Sequence, residues 1–296
     1  MLFNIYVRSI YNVVEKLGFS IKGFADDHQL YVSFVPEFQH HYLGFKINQA
    51  LQTLDTWMNT FFLKLNADKT QIIVFGPKPV RDKIIIKGTF LNGDTNCIRF
   101  SNVVCNLGVQ LDSDLSFFAQ VNKTVSNAFL TIKSVSRISS FLTMKEKETL
   151  VCSLVLSKLD YTNSLYYGIH SYLLNKLQYV QNCAARLIFK RRKFDHITDI
   201  MRDLHWLKIR NRIQYKILLT IHKCLYGQSP HELNELLLVE SSRTLNLRIN
   251  AYRTMFGNRA FSVYAGKHWN SLPLCLKMES DNVLFKKRLK TYLFDI

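Results

Sequence analysis

Phe19-Ser-Ile-Lys-Gly-Phe24, Ala25-Asp-Asp-His28 and Gln29-Leu-Tyr-Val-Ser-Phe34 follow one another without a break. Two short apolar runs joined by a short polar link predict a β-hairpin with the link at its tip. Asp tolerates turn geometry well, so its presence there needs no function. Two adjacent carboxylates carried on a rigid hairpin are also hard oxygen donors suited to Mg²⁺. Just upstream, Ile10, Val13, Val14 and Leu17 share one helical face, and Gly18 is the expected stop. Just downstream, Ile47, Leu51, Leu54, Met58 and Phe61 predict a second amphipathic helix, with Trp57 and Phe62 beside the stripe.

Farther along, Gln71–Phe75 reads as a strand closed by Gly76-Pro77. Lys83–Lys87, Cys97–Phe100 and Val103 through Leu111 read as short strands punctuated by Gly88, Asn92-Gly93 and Asp94. Then the period changes. Val121, Val125, Phe129, Ile132, Val135 and Ile138 recur at helical spacing, and helices fit 145–158, 172–190 and 210–226. Looser structure is expected from about Gly227. Strands first and helices after predict an α+β fold, a mixed unit followed from about residue 115 by an all-α unit.

Composition agrees with a folded, soluble chain: 296 residues, 48% hydrophobic, with few Pro and Gly. The charge is lopsided. Residues 1–110 carry 11 basic and 8 acidic side chains, and 111–296 carry 28 and 14. Such a basic half predicts a polyanionic partner, nucleic acid above all, against the plainer reading of a solvated surface. The densest patch is Arg186, Lys190, Arg191, Arg192 and Lys193, continuing through Arg202, Lys208, Arg210, Arg212, Lys216 and Lys223. Phe189, Phe194, His205, Trp206 and Tyr215 are interleaved, and phosphate neutralisation with aromatic stacking is how single strands are held. Trp206 itself is expected in a core. The 190–193 run has nuclear import as a side reading, and Lys286-Lys-Arg-Leu-Lys290 is a second, less telling basic stretch. The cysteines at 97, 105, 152, 183, 224 and 275 contain no C-x-x-C pair, which excludes a zinc finger or knuckle. The absence of a signal-peptide pattern and of an apolar run near 20 residues predicts an intracellular protein, nuclear or cytoplasmic, with no membrane partner.

The ordered series of motifs resembles a known family. Phe24-Ala-Asp-Asp27 is similar to the F/Y-A-D-D box of reverse transcriptases. Trp57-Met58, Leu65-Asn-Ala-Asp-Lys-Thr70 and Val74-Phe75-Gly76 resemble the segment that follows it in LINE-type (non-LTR retrotransposon) enzymes. Leu107-Gly-Val-Gln-Leu-Asp112 resembles their primer grip. Leu156-Ser-Lys-Leu-Asp-Tyr161, Leu177-Gln-Tyr-Val-Gln-Asn-Cys-Ala-Ala-Arg186, Leu204-His-Trp-Leu207 and Trp269-Asn-Ser-Leu-Pro273 are similar to the region after the thumb. The resemblance implies a partial palm over 1–115, an antiparallel sheet with helices, then a thumb over 116–170 and a basic helical C-terminal region over 171–296. It implies RNA-directed DNA synthesis with an RNA template, a DNA primer and two Mg²⁺ ions. Asp26 and Asp27 match the paired metal ligands, Asp26 being the more important. Lys69 matches a lysine that favours the leaving pyrophosphate, and it also reads as a plain surface lysine after a turn. Leu107 and Gly108 match the primer grip, where glycine allows close backbone approach.

The departures from the family shape the expectation as much. Met1-Leu-Phe-Asn-Ile-Tyr-Val7 is similar to the stretch just after the family's Gln-Gly segment, so that segment, the fingers and the third metal-binding acid have no match here. His28 stands where the family has Thr, either as a further ligand or as a tolerated turn substitution. Phosphoryl transfer depends mostly on positioning, so the chain is expected to be catalytically deficient alone. Two other readings stand beside this one: a non-catalytic RNA- or DNA-binding protein using the basic half, and a decayed retroelement reading frame without function.

Overall fold

The computed structural model describes residues 2–66, 68–85, 89–92, 96–241, 243–250, 252 and 254–295. The chain is mixed α/β and mainly helical, with small antiparallel sheets. It divides into two compact units, Met1–Leu115 and Ser116–Ile296.

The first unit begins with α1 (Leu2–Tyr6) and α2 (Ser9–Lys16), then the hairpin β1 (Ser20–Phe24) and β2 (Asp27–Tyr31), then the long α3 (Pro36–Thr60). Gly18 ends α2 with a φ of +71°, as the sequence predicts, and its amide donates to the Glu15 carbonyl at 2.9 Å. Pro36 starts α3, where a missing N–H costs nothing. Ile10 and Val14 of α2, Phe19 and Ile21 around β1, and Ala50 and Leu54 of α3 form one buried cluster. Leu30, Val32, Ile47 and Met58 pack around it. Truncating one of these buried aliphatics to Ala costs about 2–5 kcal/mol, so the base of the hairpin is firmly seated on two helices.

The rest of this unit departs from the predicted run of strands. Lys83–Ile85 lie in a helix, α4 (Lys78–Ile85), and not in a strand. The Pro77 carbonyl accepts from the amides of Val80 and Arg81, so the Pro-rich start sets a helical register that the following isoleucines continue. Gln71–Phe75 makes a single parallel bridge, Ile72 to Phe100, in place of a strand. Two further hairpins follow, β3 (Thr89–Asn92) with β4 (Asn96–Arg99), and β5 (Val103–Asn106) with β6 (Val109–Asp112). Each pair is a separate two-stranded sheet. Ala67, Gly88, Gly93 and Asp94, and the end of the predicted 83–87 strand, lie outside the described residues.

The second unit is helical: α5 (Phe118–Ile138), α6 (Met144–Val151), a π-helical stretch Cys152–Leu156, α7 (Ser157–Asp160), α8 (Ser171–Ile188), α9 (Thr198–Asp203) and α10 (Ile209–Leu225). After α11 (His231–Asn234) comes a small hairpin, β7 (Val239–Ser241) and β8 (Asn246–Leu247). The chain then runs through α12 (Met255–Asn258), α13 (Phe261–Asn270), α14 (Leu274–Lys277) and α15 (Asn282–Phe294). Thr143 and Glu146 form a capping box on α6. α5 buries Val121, Thr124, Ala128 and Val135, so its inner face is turned from the predicted stripe and Ile138 is exposed. α8 packs along α5, and α10 packs against α8, α13 and α15. Its core includes Leu173, Leu177, Ile217, Leu218, Trp269 and Phe285, all fully buried. Trp206 is buried too, as expected. The cysteines at 105, 152, 183, 224 and 275 are free thiols. Among the described residues, no helix is long and apolar enough to cross a membrane.

Candidate functional site

β1 and β2 pair from Ser20 with Tyr31 out to Phe24 with Asp27, which leaves only Ala25 and Asp26 as the turn. Asp27 and His28 therefore belong to β2, where the sequence reading put them in the link. Two-residue loops suit the twist of hairpin strands and require a positive φ at the first central residue, which Ala25 supplies at +56°. From Lys22 through Asp27 the hairpin stands clear of the core, so both carboxylates reach solvent. Neither forms an ion pair among the described residues.

Gly23 gives room to its neighbours: a Cβ there would meet the tip of the Tyr11 side chain and crowd the His28 ring, so the tyrosine would have to swing aside. His28 is half-buried, with Nδ1 3.2 Å from the Asp26 carbonyl oxygen. Its Nε2 is buried without a hydrogen-bond partner among the described residues. The imidazole thus braces the turn through backbone and packing. No group of three or more His, Cys, Asp and Glu converges as a metal site among the described residues. Two exposed carboxylates fit part of a Mg²⁺ shell, which water or nucleotide phosphates ordinarily complete.

Leu107 and Gly108 form the tip of the β5–β6 hairpin with φ of +46° and +80°. Positive φ at both central residues defines a type I′ turn, easy for Gly108 and strained for Leu107. The two hairpins are joined: Gln29 of β2 donates through Nε2 to the Asn106 side-chain oxygen at 2.7 Å. Gln71 Oε1 accepts from the Cys105 amide at 3.0 Å, tying the segment after Thr70 to β5. Lys69 is exposed, and its amide donates to the Asn66 side chain at 3.1 Å. The Asn66 carbonyl also accepts from the Thr70 hydroxyl at 2.8 Å, so Asn66 organises this loop. Lys69 forms no ion pair with Asp26 or Asp27 among the described residues.

The basic candidates separate into two kinds. Lys190, Arg191, Arg192, Lys193 and Arg210 are exposed, and Arg186 is half-buried. Arg212 is already engaged: its Nε donates to Asp160 at 2.9 Å, its Nη2 donates to the other carboxylate oxygen, and Asn163 donates to Asp160 at 3.1 Å. That side chain holds α10 to α7 and is not offered to a ligand.

Sequence reasoning missed the polar residues that join the tail segments. Gln181 is wholly buried and donates to the Leu207 carbonyl at 2.9 Å, while Gln178 accepts from the Ile209 amide at 2.8 Å and so caps α10. Trp269 donates to the Leu245 carbonyl at 2.8 Å, and Asn270 pairs both ways with the Leu247 backbone. Their signal in the sequence is their place in the Leu177–Arg186 and Trp269–Pro273 motifs, which says nothing of what each side chain bonds to. No protein-family model matches the chain, and no curated protein is similar enough to count as a relative.

Proposed function

We propose that this chain is the downstream part of a LINE-type reverse transcriptase, an RNA-directed DNA polymerase, deficient in catalysis by itself and able to bind nucleic acid through its helical half. One observation carries the reading. The hairpin with Asp26 and Asp27 at its tip and the hairpin with Leu107 and Gly108 at its tip are joined through Gln29 and Asn106. A metal-binding hairpin beside a primer-gripping hairpin is what primer extension needs, since the metal must meet the primer 3′-hydroxyl. Asp26 and Asp27 would hold Mg²⁺, which neutralises charge on the transferring phosphoryl group when bound. Nucleic-acid binding without catalysis is the second reading, supported by the exposed cations of 190–193 and Arg210.

The test is primer extension on an RNA template with Mg²⁺, beside Asp26→Ala, with RNA binding recorded on the same samples. Salt-sensitive binding without extension is expected. Extension that vanishes in Asp26→Ala would overturn the deficiency, and the loss of both activities would overturn the nucleic-acid reading itself.

A further inference from the structure

The C-terminal ends of α5 and α8 flank an open cleft of about 450 Å³ in the second unit. That is within the roughly 300–1,000 Å³ usual for ligand sites. Arg186, Lys190, Arg191 and Lys193 line it together with Ser136 and Ser139, and no carboxylate does among the described residues. Two helix C-termini oppose an anion by about half a charge each, which four cations outweigh. Asp195, the nearby acid, is occupied in closing the loop: its carboxylate accepts from the Arg192 amide at 2.9 Å.

Two details mark the cleft as built for a ligand. Arg186 donates through Nη2 to the Asp195 carbonyl at 3.2 Å, but its Nε is buried with no hydrogen-bond partner among the described residues. Buried donors are rarely left unpaired, and because this one is closed to solvent, an anion in the cleft would reach it only once the guanidinium turns. Lys190 takes a φ of +53°, and the Arg191 amide closes the helix end on the Arg186 carbonyl at 3.0 Å. That place ordinarily belongs to glycine. A lysine there strains the backbone and directs a cation to the cleft. Beside it Phe194 is 88% exposed, with the Lys193 ammonium 5.5 Å from its ring centre. An exposed aromatic next to exposed cations is a platform on which an unpaired base stacks, here on the ring face opposite Lys193.

The geometry points to this cleft as the seat of a backbone phosphate of a single-stranded nucleic acid, with the neighbouring base stacked on Phe194. The inference rests on the nucleic-acid reading of the helical half and deepens it by naming the pocket and the strand form. Cys183 also lines the cleft and supplies a local reporter.

The full chain is titrated by fluorescence anisotropy with a labelled 20-nucleotide poly(U), a 20-base-pair duplex and phosphatidylserine vesicles at two salt concentrations. Alkylation of Cys183 is followed by peptide mass spectrometry, with exposed Cys105 and Cys275 as references. Poly(U) is expected to bind more tightly than the duplex or the vesicles and to slow Cys183 alkylation alone. Lys190→Gly is expected to weaken poly(U) binding about fivefold and lower the salt slope by about 0.7, with an unchanged or higher melting temperature. Phe194→Ala should weaken poly(U) more than the duplex. Poly(U) binding undiminished by Lys190→Gly, with Cys183 unprotected, would overturn the cleft while leaving the nucleic-acid reading intact. No binding to either nucleic acid would overturn both. Vesicles bound more tightly than poly(U) would assign the cleft to a membrane surface instead.

Discussion

At the scale of single residues, strain and pairing separate functional from structural side chains. Ala25 holds a positive φ that L-residues adopt at a cost of about 1 kcal/mol. Ala25→Gly should therefore raise stability by about that amount in urea unfolding, and a loss would mean that the turn is held by something other than its φ. Arg210 and Arg212 stand two residues apart in one basic stretch, yet their fates differ. Arg212→Gln should cost about 2 kcal/mol, because it leaves Asp160 half-buried and uncompensated. It should leave the salt slope of RNA binding unchanged, whereas Arg210→Gln should lower the slope and spare stability. His222 adds a pH dependence. It is stacked on Phe285 at 4.0 Å, and burial holds its pKa below the ordinary 6.5. Above that value both folded and unfolded imidazoles are neutral and nothing changes. Below it the unfolded chain takes up a proton first, so stability falls with pH. The melting temperature should drop as the pH falls below about 6.5, and His222→Gln should shrink that drop, while His268, whose pKa burial also lowers, keeps part of it.

At the scale of elements, side chains buried between segments explain why the motifs hold together. Trp269 and Asn270 fasten α13 to the loop and strand around β8, so Trp269→Phe should leave the Leu245 carbonyl unpaired at a cost of about 1–3 kcal/mol by thermal unfolding. An unchanged melting temperature would show that the carbonyl finds another donor. The hairpin contains a close approach. Gly23→Ala would make the Tyr11 side chain swing aside and would crowd the His28 ring, which braces the Asp26–Asp27 turn. The expected readout is weaker Mn²⁺ broadening of the backbone signals of residues 24–28, with the helical unit undisturbed. The Asp26–Asp27 hairpin was legible from the sequence because two short apolar runs flank a polar link. The Leu107–Gly108 turn was not, because Val103 through Leu111 reads as one strand, and only the positive φ at both residues splits it into β5 and β6. Nor was α4, because Ile84 and Ile85 carry strand propensity and the helix is started by prolines several residues away.

At the scale of the whole molecule, each unit has its own buried core, the first around Ile10, Val14 and Leu54 and the second around Trp269, Phe285 and Ile217. A polypeptide spanning 116–296 should therefore fold by itself, with helical circular dichroism and one cooperative melt, and should keep the RNA affinity of the full chain. A molten polypeptide would mean that the second core needs the first unit. The same division sorts the charge: the carboxylates proposed for metal lie in 1–115, and the cations proposed for nucleic acid lie in 116–296.

The sequence by itself determined the change from a mixed first part to a helical second part, the hairpin with Asp26 and Asp27, the main amphipathic helices and the basic half. Each of these is written in local periodicity or composition, which a chain displays without folding. Only the tertiary structure decided which polar side chains are spent. It joined Gln29 to Asn106 across 77 residues and Arg212 to Asp160 across 52. It also gathered Arg186 and Lys190 with serines from another helix into one cleft. Such pairings follow from how faces pack over long chain separations, and no spacing along the chain records them.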